Sequence, residues 1–218
     1  LFRSQWRARL DRHPDLRHDS QGLSEAQIIQ RLGLGLSSLE GQLFPDTYLF
    51  DKQSSDLELL ARAHRALQRK LDAEWSQRIK GVPYRSPQEA LIMASIIEKE
   101  TGREADRELV AAVFVNRLRK GMLLQTDPTV IYGLGEAFDG NLRKRDLQAD
   151  TAYNTYTRPG LPPTPIAMPG VAALRAALNP PATDYLYFVA RGDGSSEFSR
   201  NLDEHNRAVA RYIRKRSQ

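Results

Sequence analysis

Two glutamates, Glu98 and Glu100, close the apolar run LIMASII in the segment ASIIEKETG. A carboxyl group serves as a general acid near neutral pH only if its pKa is lifted, and apolar surroundings do this by disfavouring the charged form. On a helical wheel of about 100° per residue, Ile92, Met93, Ile96, Ile97, Ala90 and Ala94 fill a broad apolar arc, with Gln88, Ser95 and Lys99 on the polar side. Glu98 borders the polar side, whereas Glu100 falls in the middle of the apolar arc. The two point nearly opposite ways and cannot be a carboxylate pair sharing one cleft. Glu98 therefore reads as a solvated rim residue. Glu100 reads as a desolvated carboxyl and candidate general acid, unless the last turn protrudes beyond the core and the side chain meets water.

Two loop segments carry further polar chemistry. In LQTDPT, Gln125, Thr126 and Asp127 could line a polar cleft, or could be turn chemistry before Pro128. Asp127 is also a candidate second carboxylate. In YNTYTRPGLPPTP, Tyr153, Asn154 and Tyr156 sit in a proline-stiffened stretch. Aromatic faces beside amides suit sugar rings, although such tyrosines could equally plug the edge of a core. His205, in NLDEHN, could act as a base, but its place near a helix start is the plainer reading.

These residues need elements to hold them. Ser86-Pro87-Gln88-Glu89 is a capping box with proline at the first helical position. It opens a helix over 87–100 that Gly102 ends. ADRELVAAVFVNRLRK predicts the next helix, ending at Gly121. Upstream, Ser24 with Gln27 and Ser55 with Glu58 form two more capping boxes. The second opens a long amphipathic helix with Leu57, Leu60, His64, Leu67, Leu71 and Trp75 on one side. LEGQLFPDTYLF (39–50) reads as a strand or extended turn, and 122–170 as loop-rich. DYLYFVA-RGDG-SSEFSRNL reads as a β-hairpin, followed by a basic helix, HNRAVARYIRKR. Helices with a few strands that do not alternate regularly predict an α+β fold.

Composition bounds the rest. The 218 residues are 40% hydrophobic and 27% charged, with net charge +5 and no cysteine. Thiolate metal sites and disulfides are excluded, and four scattered histidines argue against a zinc centre. The positive charge suits an anionic partner without choosing one. Nucleic-acid binding is not expected, because the basic terminal helix lacks interleaved aromatics beyond Tyr212. No apolar stretch reaches membrane-span length. The start LFRSQW, without methionine, predicts a processed or truncated piece.

The motifs EGQLFPDTY, ASIIEKET, VFVNRL, LQTDPTVIYG, YNTYTRPGLPPTPIAMPG, ALNPP and YLYFVA with a following EHN resemble, in order, the YceG-like family of endolytic murein transglycosylases. The resemblance covers about 40–218. It implies a catalytic domain over 46–218 and a partial or divergent LysM-like segment over 1–45. It matches Glu100 to the catalytic glutamate and adds Glu40 to the expected substrate-binding set of Gln125, Thr126, Asp127, Tyr153, Asn154 and Tyr156. It further implies peptidoglycan glycan strands as substrate, wall synthases as partners, and no metal or organic cofactor. The expected setting is the bacterial inner membrane, with one N-terminal tether absent from this chain and the domain facing the periplasm.

The chemistry so implied uses one carboxyl group twice. Protonated Glu100 gives its proton to the glycosidic oxygen between N-acetylmuramic acid and N-acetylglucosamine. The carboxylate then takes the proton of the muramoyl 6-hydroxyl, which closes on C1 to leave a 1,6-anhydro end. The intramolecular hydroxyl replaces the water that a hydrolase activates with its second carboxylate. A water-using muramidase, or a glycan-binding protein without catalysis, are the alternatives.

Overall fold

The computed structural model describes residues 3–213. The amino-terminal part contains α1 (Arg3–Asp11), β1 (Leu16–Arg17), α2 (Glu25–Arg31) and β2 (Ser54–Ser55). The capping box of α2 forms as read: the Ser24 hydroxyl accepts from Gln27 N–H, and the Gln27 carboxamide accepts from Ser24 N–H. Of the strand or extended turn expected over 39–50, the strand does not form, and the chain turns where Gln42 N–H donates to Leu39 C=O. Residues 39–44 are buried consecutively and not alternately, so the segment lacks the two-residue period of a strand. The short strands pair elsewhere, in parallel, Leu16 with Ser54 and Arg17 with Ser55.

Ser55 precedes α3 (Asp56–Ser76), but its hydroxyl makes no cap bond, so the expected capping box is absent. The Ser55 hydroxyl instead bonds the Asp19 carboxylate. Asp56, fully buried at the start of the helix, accepts from the backbone and hydroxyl of Ser20. A small apolar cluster of Trp6, Ile28, Ile29, Leu39, Leu43, Leu60, Ala63 and Met168 joins this part to α3. Strand pairing and cluster both tie residues across position 45.

The main core surrounds α4 (Pro87–Glu100), with the span read from the sequence. Ser86 accepts from Glu89 N–H, but the Glu89 carboxylate accepts from Arg85 N–H, one residue early, so only half of the box forms. Every residue from Ala90 to Ile97 is buried. Ser95, expected on the polar side, is therefore buried with the rest. Residues 165–168 cross that face, and the Ser95 hydroxyl donates to Ile92 C=O and accepts from Ile166 N–H.

Around α4 pack α3, α5 (Glu104–Arg119) and α8 (Val171–Leu178). The loop-rich stretch holds two helices that the sequence reading did not place, α6 (Asp127–Leu134) and α7 (Lys144–Gln148), and α8 is a third. The hairpin is as expected: β3 (Tyr187–Ala190) and β4 (Ser196–Ser199) pair antiparallel, Phe188 opposite Phe198. It is anchored to α5, where Asn116 donates to Thr183 and Tyr185 carbonyls and Asp106 accepts from Ser196 N–H. The final helix α9 (Leu202–Tyr212) is capped by Asn201 and starts three residues earlier than read. The end of the basic stretch, 214–216, lies outside the described residues. Helices with two small sheets make the fold α+β, as expected.

Gly41 fixes how the amino-terminal part meets the core. Its φ is +69°, and a Cβ there would stand 2.3 Å from Pro165 Cβ and 2.9 Å from Ala167 O. Gly41→Ala combines an unfavourable backbone region with backbone crowding, so it is expected to cost about 2 kcal/mol in urea unfolding. An unchanged midpoint would mean that this contact opens without cost.

Candidate active site

The two glutamates of α4 do point apart, but Glu98 is not a solvated rim residue. Its carboxylate accepts from Gly170 N–H at 3.0 Å, at the N-terminal end of α8, where the helix dipole favours negative charge. Glu100 points the other way, into a cleft of about 360 Å³ lined also by Phe114, Arg117, Gln125, Asp127, Tyr156 and Tyr187. Burial pushes the Glu100 carboxyl up to about 7 and the nearby Asp127 charge adds to this. The Thr126 hydroxyl, donating to Glu100 Oε2 at 2.8 Å, and the Arg117 charge pull the other way. The resulting group exists in both protonation states near neutral pH. It can release a proton and take one back.

Thr126 is set by the chain just before α6. Gln125 adopts φ +52°, a left-handed conformation that costs a non-glycine residue free energy. Three bonds hold it there. Its N–H donates to Thr155 C=O at 3.0 Å, its side-chain oxygen accepts from Arg117 Nη1 at 3.3 Å, and Thr126 N–H donates to Thr155 Oγ1 at 3.1 Å. The Thr155 and Thr129 hydroxyls are bonded at 2.9 Å, so three threonines brace the turn. Asp127 then opens α6 with Pro128 behind it, and the "turn chemistry" of DPT is a helix start. The Tyr156 hydroxyl donates to Asp127 Oδ1. Burial and that carboxylate together raise the Tyr156 pKa, so the phenol stays protonated.

Arg117 is the residue that the sequence reading missed. Buried on α5, it sends Nε to Leu186 C=O (2.6 Å) and Nη1 to the carbonyls of Leu123 (3.1 Å) and Leu124 (2.9 Å). It thereby ties the segment leading to Thr126 onto β3. The only sequence signal was an arginine inside an otherwise apolar helix face, AAVFVNRL.

Gln125, Thr126, Asp127 and Tyr156 therefore gather around Glu100; Tyr153, Asn154 and Glu40 do not. The Tyr153 ring packs on Tyr132 at 4.8 Å and on the core, with its hydroxyl bonded to Thr164, which is the core-plug arrangement. Asn154 is fully buried, donates to the carbonyls of Asp146, Leu147 and Ala149, and accepts from Tyr156 N–H. It builds the loop that presents Tyr156. Glu40 is buried beside Gly41 at the junction with the amino-terminal part. None of these three lines the cleft.

The chain matches the YceG-like family over residues 3–211. It belongs to that family. An endolytic murein transglycosylase of Bacillus subtilis (strain 168) is 43% identical over 180 residues, covering 83% of this chain and 49% of the relative. One from Streptococcus pneumoniae serotype 2 (strain D39 / NCTC 7466) is 34% identical over 180 residues, covering 80% of this chain and 32% of the relative. The chain thus spans about half the length of the first relative and about a third of the second. A crystal structure of a yceG-like protein from Listeria monocytogenes superposes with TM-score 0.69 at 38% identity, covering 84% of this chain and 62% of that one.

Thr126→Val removes the one hydroxyl that stabilises the Glu100 carboxylate while keeping the side-chain shape. The Glu100 pKa then rises further, and the alkaline fall of any Glu100-dependent activity moves up by roughly one pH unit. A pH profile superposable on the parent's would mean that this bond does not persist in solution.

Proposed function

We propose that this chain is the catalytic part of a lytic transglycosylase that cuts murein glycan strands internally and leaves 1,6-anhydro-muramoyl ends. The observation that carries it is Glu100: a carboxyl held near pH 7 by burial, in an open cleft, with a hydroxyl on one oxygen. Membership in a family whose relatives carry that activity in their names supports the same reading. Protonated Glu100 delivers its proton to the bridging oxygen as the C1–O bond breaks. The resulting carboxylate, stabilised by Thr126 and Arg117, removes the proton of the muramoyl 6-hydroxyl as that oxygen bonds C1. The proton returns to Glu100, so the cycle closes without water.

A second reading has a specific observation behind it. Asp127 shares the cleft and is held by Tyr156, so it could activate a water and make the reaction a hydrolysis. Digestion of uncross-linked glycan strands with the parent and Asp127→Asn proteins separates the two. Transglycosylation predicts short strands with anhydro ends from both proteins. Reducing ends that disappear with Asp127→Asn would establish the hydrolase.

The anchoring and company of the chain are part of the same proposal. Among the described residues no helix is long and apolar enough to cross a membrane, so a single-pass inner-membrane tether would belong to residues outside this sequence. The domain would face the periplasm, beside wall synthases, with residues 1–45 a partial or divergent LysM-like segment.

A further inference from the structure

The cleft has a second wall, built by β3 and α9. Tyr187 and Phe188 of β3 and Leu202 and His205 of α9 line it together with Glu100. His205 stacks on Tyr187, with ring centroids 5.2 Å apart and planes 25° from parallel, and the Arg117 guanidinium lies 5.0 Å from the Tyr187 centroid. Leu202, one helical turn before His205 on the same face, is 54% exposed. It is a large apolar side chain left open at the cleft wall.

The nitrogens of His205 decide what it can do. Nδ1 is buried and has no hydrogen-bond partner. An imidazolium would place an N–H there with no acceptor, and burial and the Arg117 charge both depress the His205 pKa. The ring is therefore neutral. A buried lone pair goes unmet more often than a buried N–H, which assigns the proton to Nε2 and leaves Nδ1 as the sealed-off basic nitrogen. His205 is not a base toward substrate. It is a fixed single donor, with an exposed leucine one turn away.

A donor beside a small apolar patch matches an acetamido group, whose carbonyl oxygen accepts a hydrogen bond and whose methyl group seeks apolar cover. We propose that His205 and Leu202 form an N-acetyl recognition site in the cleft, His205 Nε2–H bonding the acetamido carbonyl of an amino sugar and Leu202 covering its methyl. Tyr187 orients the imidazole by stacking. The site sets specificity for N-acetylated over N-deacetylated glycan. It rests on the reading of the chain as a murein enzyme.

The test uses Glu100→Gln protein, which binds without turnover, titrated with uncross-linked murein glycan strands and with the same strands N-deacetylated. Adding His205→Phe, which keeps the stack but removes the donor, is expected to weaken binding of acetylated strands five- to tenfold. It should leave binding of deacetylated strands nearly unchanged. His205→Gln, which retains an N–H, is expected to recover part of the loss. Leu202→Ser, at an exposed position, keeps the test open should the His205 variants not fold. It is expected to lose roughly threefold on acetylated strands alone. Equal losses on both strands, or no loss on either, overturn the assignment. If Glu100→Gln binds no strand at all and the parent chain cuts none, the murein reading falls and this site with it.

Discussion

Glu100→Gln is expected to lose at least a thousandfold in strand cleavage while keeping its fold, because the amide fills the same space and cannot deliver a proton. The matched control is Glu98→Gln, two residues away on the same helix. There the amide loses a charged acceptor for Gly170 N–H at the start of α8, which should cost about 1 kcal/mol of stability and little activity. Cleavage assays on the two proteins side by side read this out. An inactive Glu98 variant beside an active Glu100 variant would contradict the division of labour between the two faces of α4.

The same substitution carries a stability signature. The folded protein holds the Glu100 proton up to about pH 7, whereas an unfolded chain releases it near the ordinary value of 4.5. Above that lower value the unfolded state is increasingly favoured, and the effect levels off above the folded value. Glu100→Gln removes this penalty. Its stability relative to the parent should rise between pH 4 and 8, by up to roughly 3 kcal/mol. A difference that stays flat across that range would mean the carboxyl titrates as an exposed one. Activity runs the opposite way in the parent, falling as pH rises through about 7, because the protonated form starts the reaction.

Arg117→Met is expected to have the largest effect of any change outside the reacting groups. It strands the carbonyls of Leu123, Leu124 and Leu186. At about 1 kcal/mol or more for each unpaired group, the loss should reach about 3 kcal/mol. It also frees the turn at Gln125, so Thr126 is no longer aimed at Glu100, and turnover should fall about tenfold or more. Loss of the cation lifts the Glu100 pKa, which moves the alkaline limb upward. Arg117→Lys should not rescue, since an ammonium cannot reproduce the fork that spans β3 and the 123–125 segment. Full stability and activity in the lysine variant would show that charge alone matters here.

How far the site was legible follows from where each piece comes from in the chain. The span of α4 and the face carrying Glu100 are local properties, set by the Ser86-Pro87 start and the apolar run, and the sequence displayed both. The opposite face was misread because burial of Ser95 depends on residues 165–168, some seventy positions away. DPT could be read as turn chemistry as well as cleft lining because Asp and Pro favour both turns and first helical positions, and Thr155 braces the chain before the helix start. Tyr153 and Tyr156 look alike in sequence. Asn154, buried between them, turns one into the core and the other toward Asp127. Arg117 and the β3–α9 wall reach Glu100 only through tertiary packing, so an arginine in an apolar helix and a lone His205 were the faint local signs of them.

The central claim is that Glu100 works with the sugar's own hydroxyl and without water. Digesting glycan strands in ¹⁸O-labelled water and weighing the new ends by mass spectrometry tests this most directly. Anhydro-muramoyl ends are expected, lighter than reducing ends by one water and free of label, and none of them with Glu100→Gln. Reducing ends carrying ¹⁸O would contradict it.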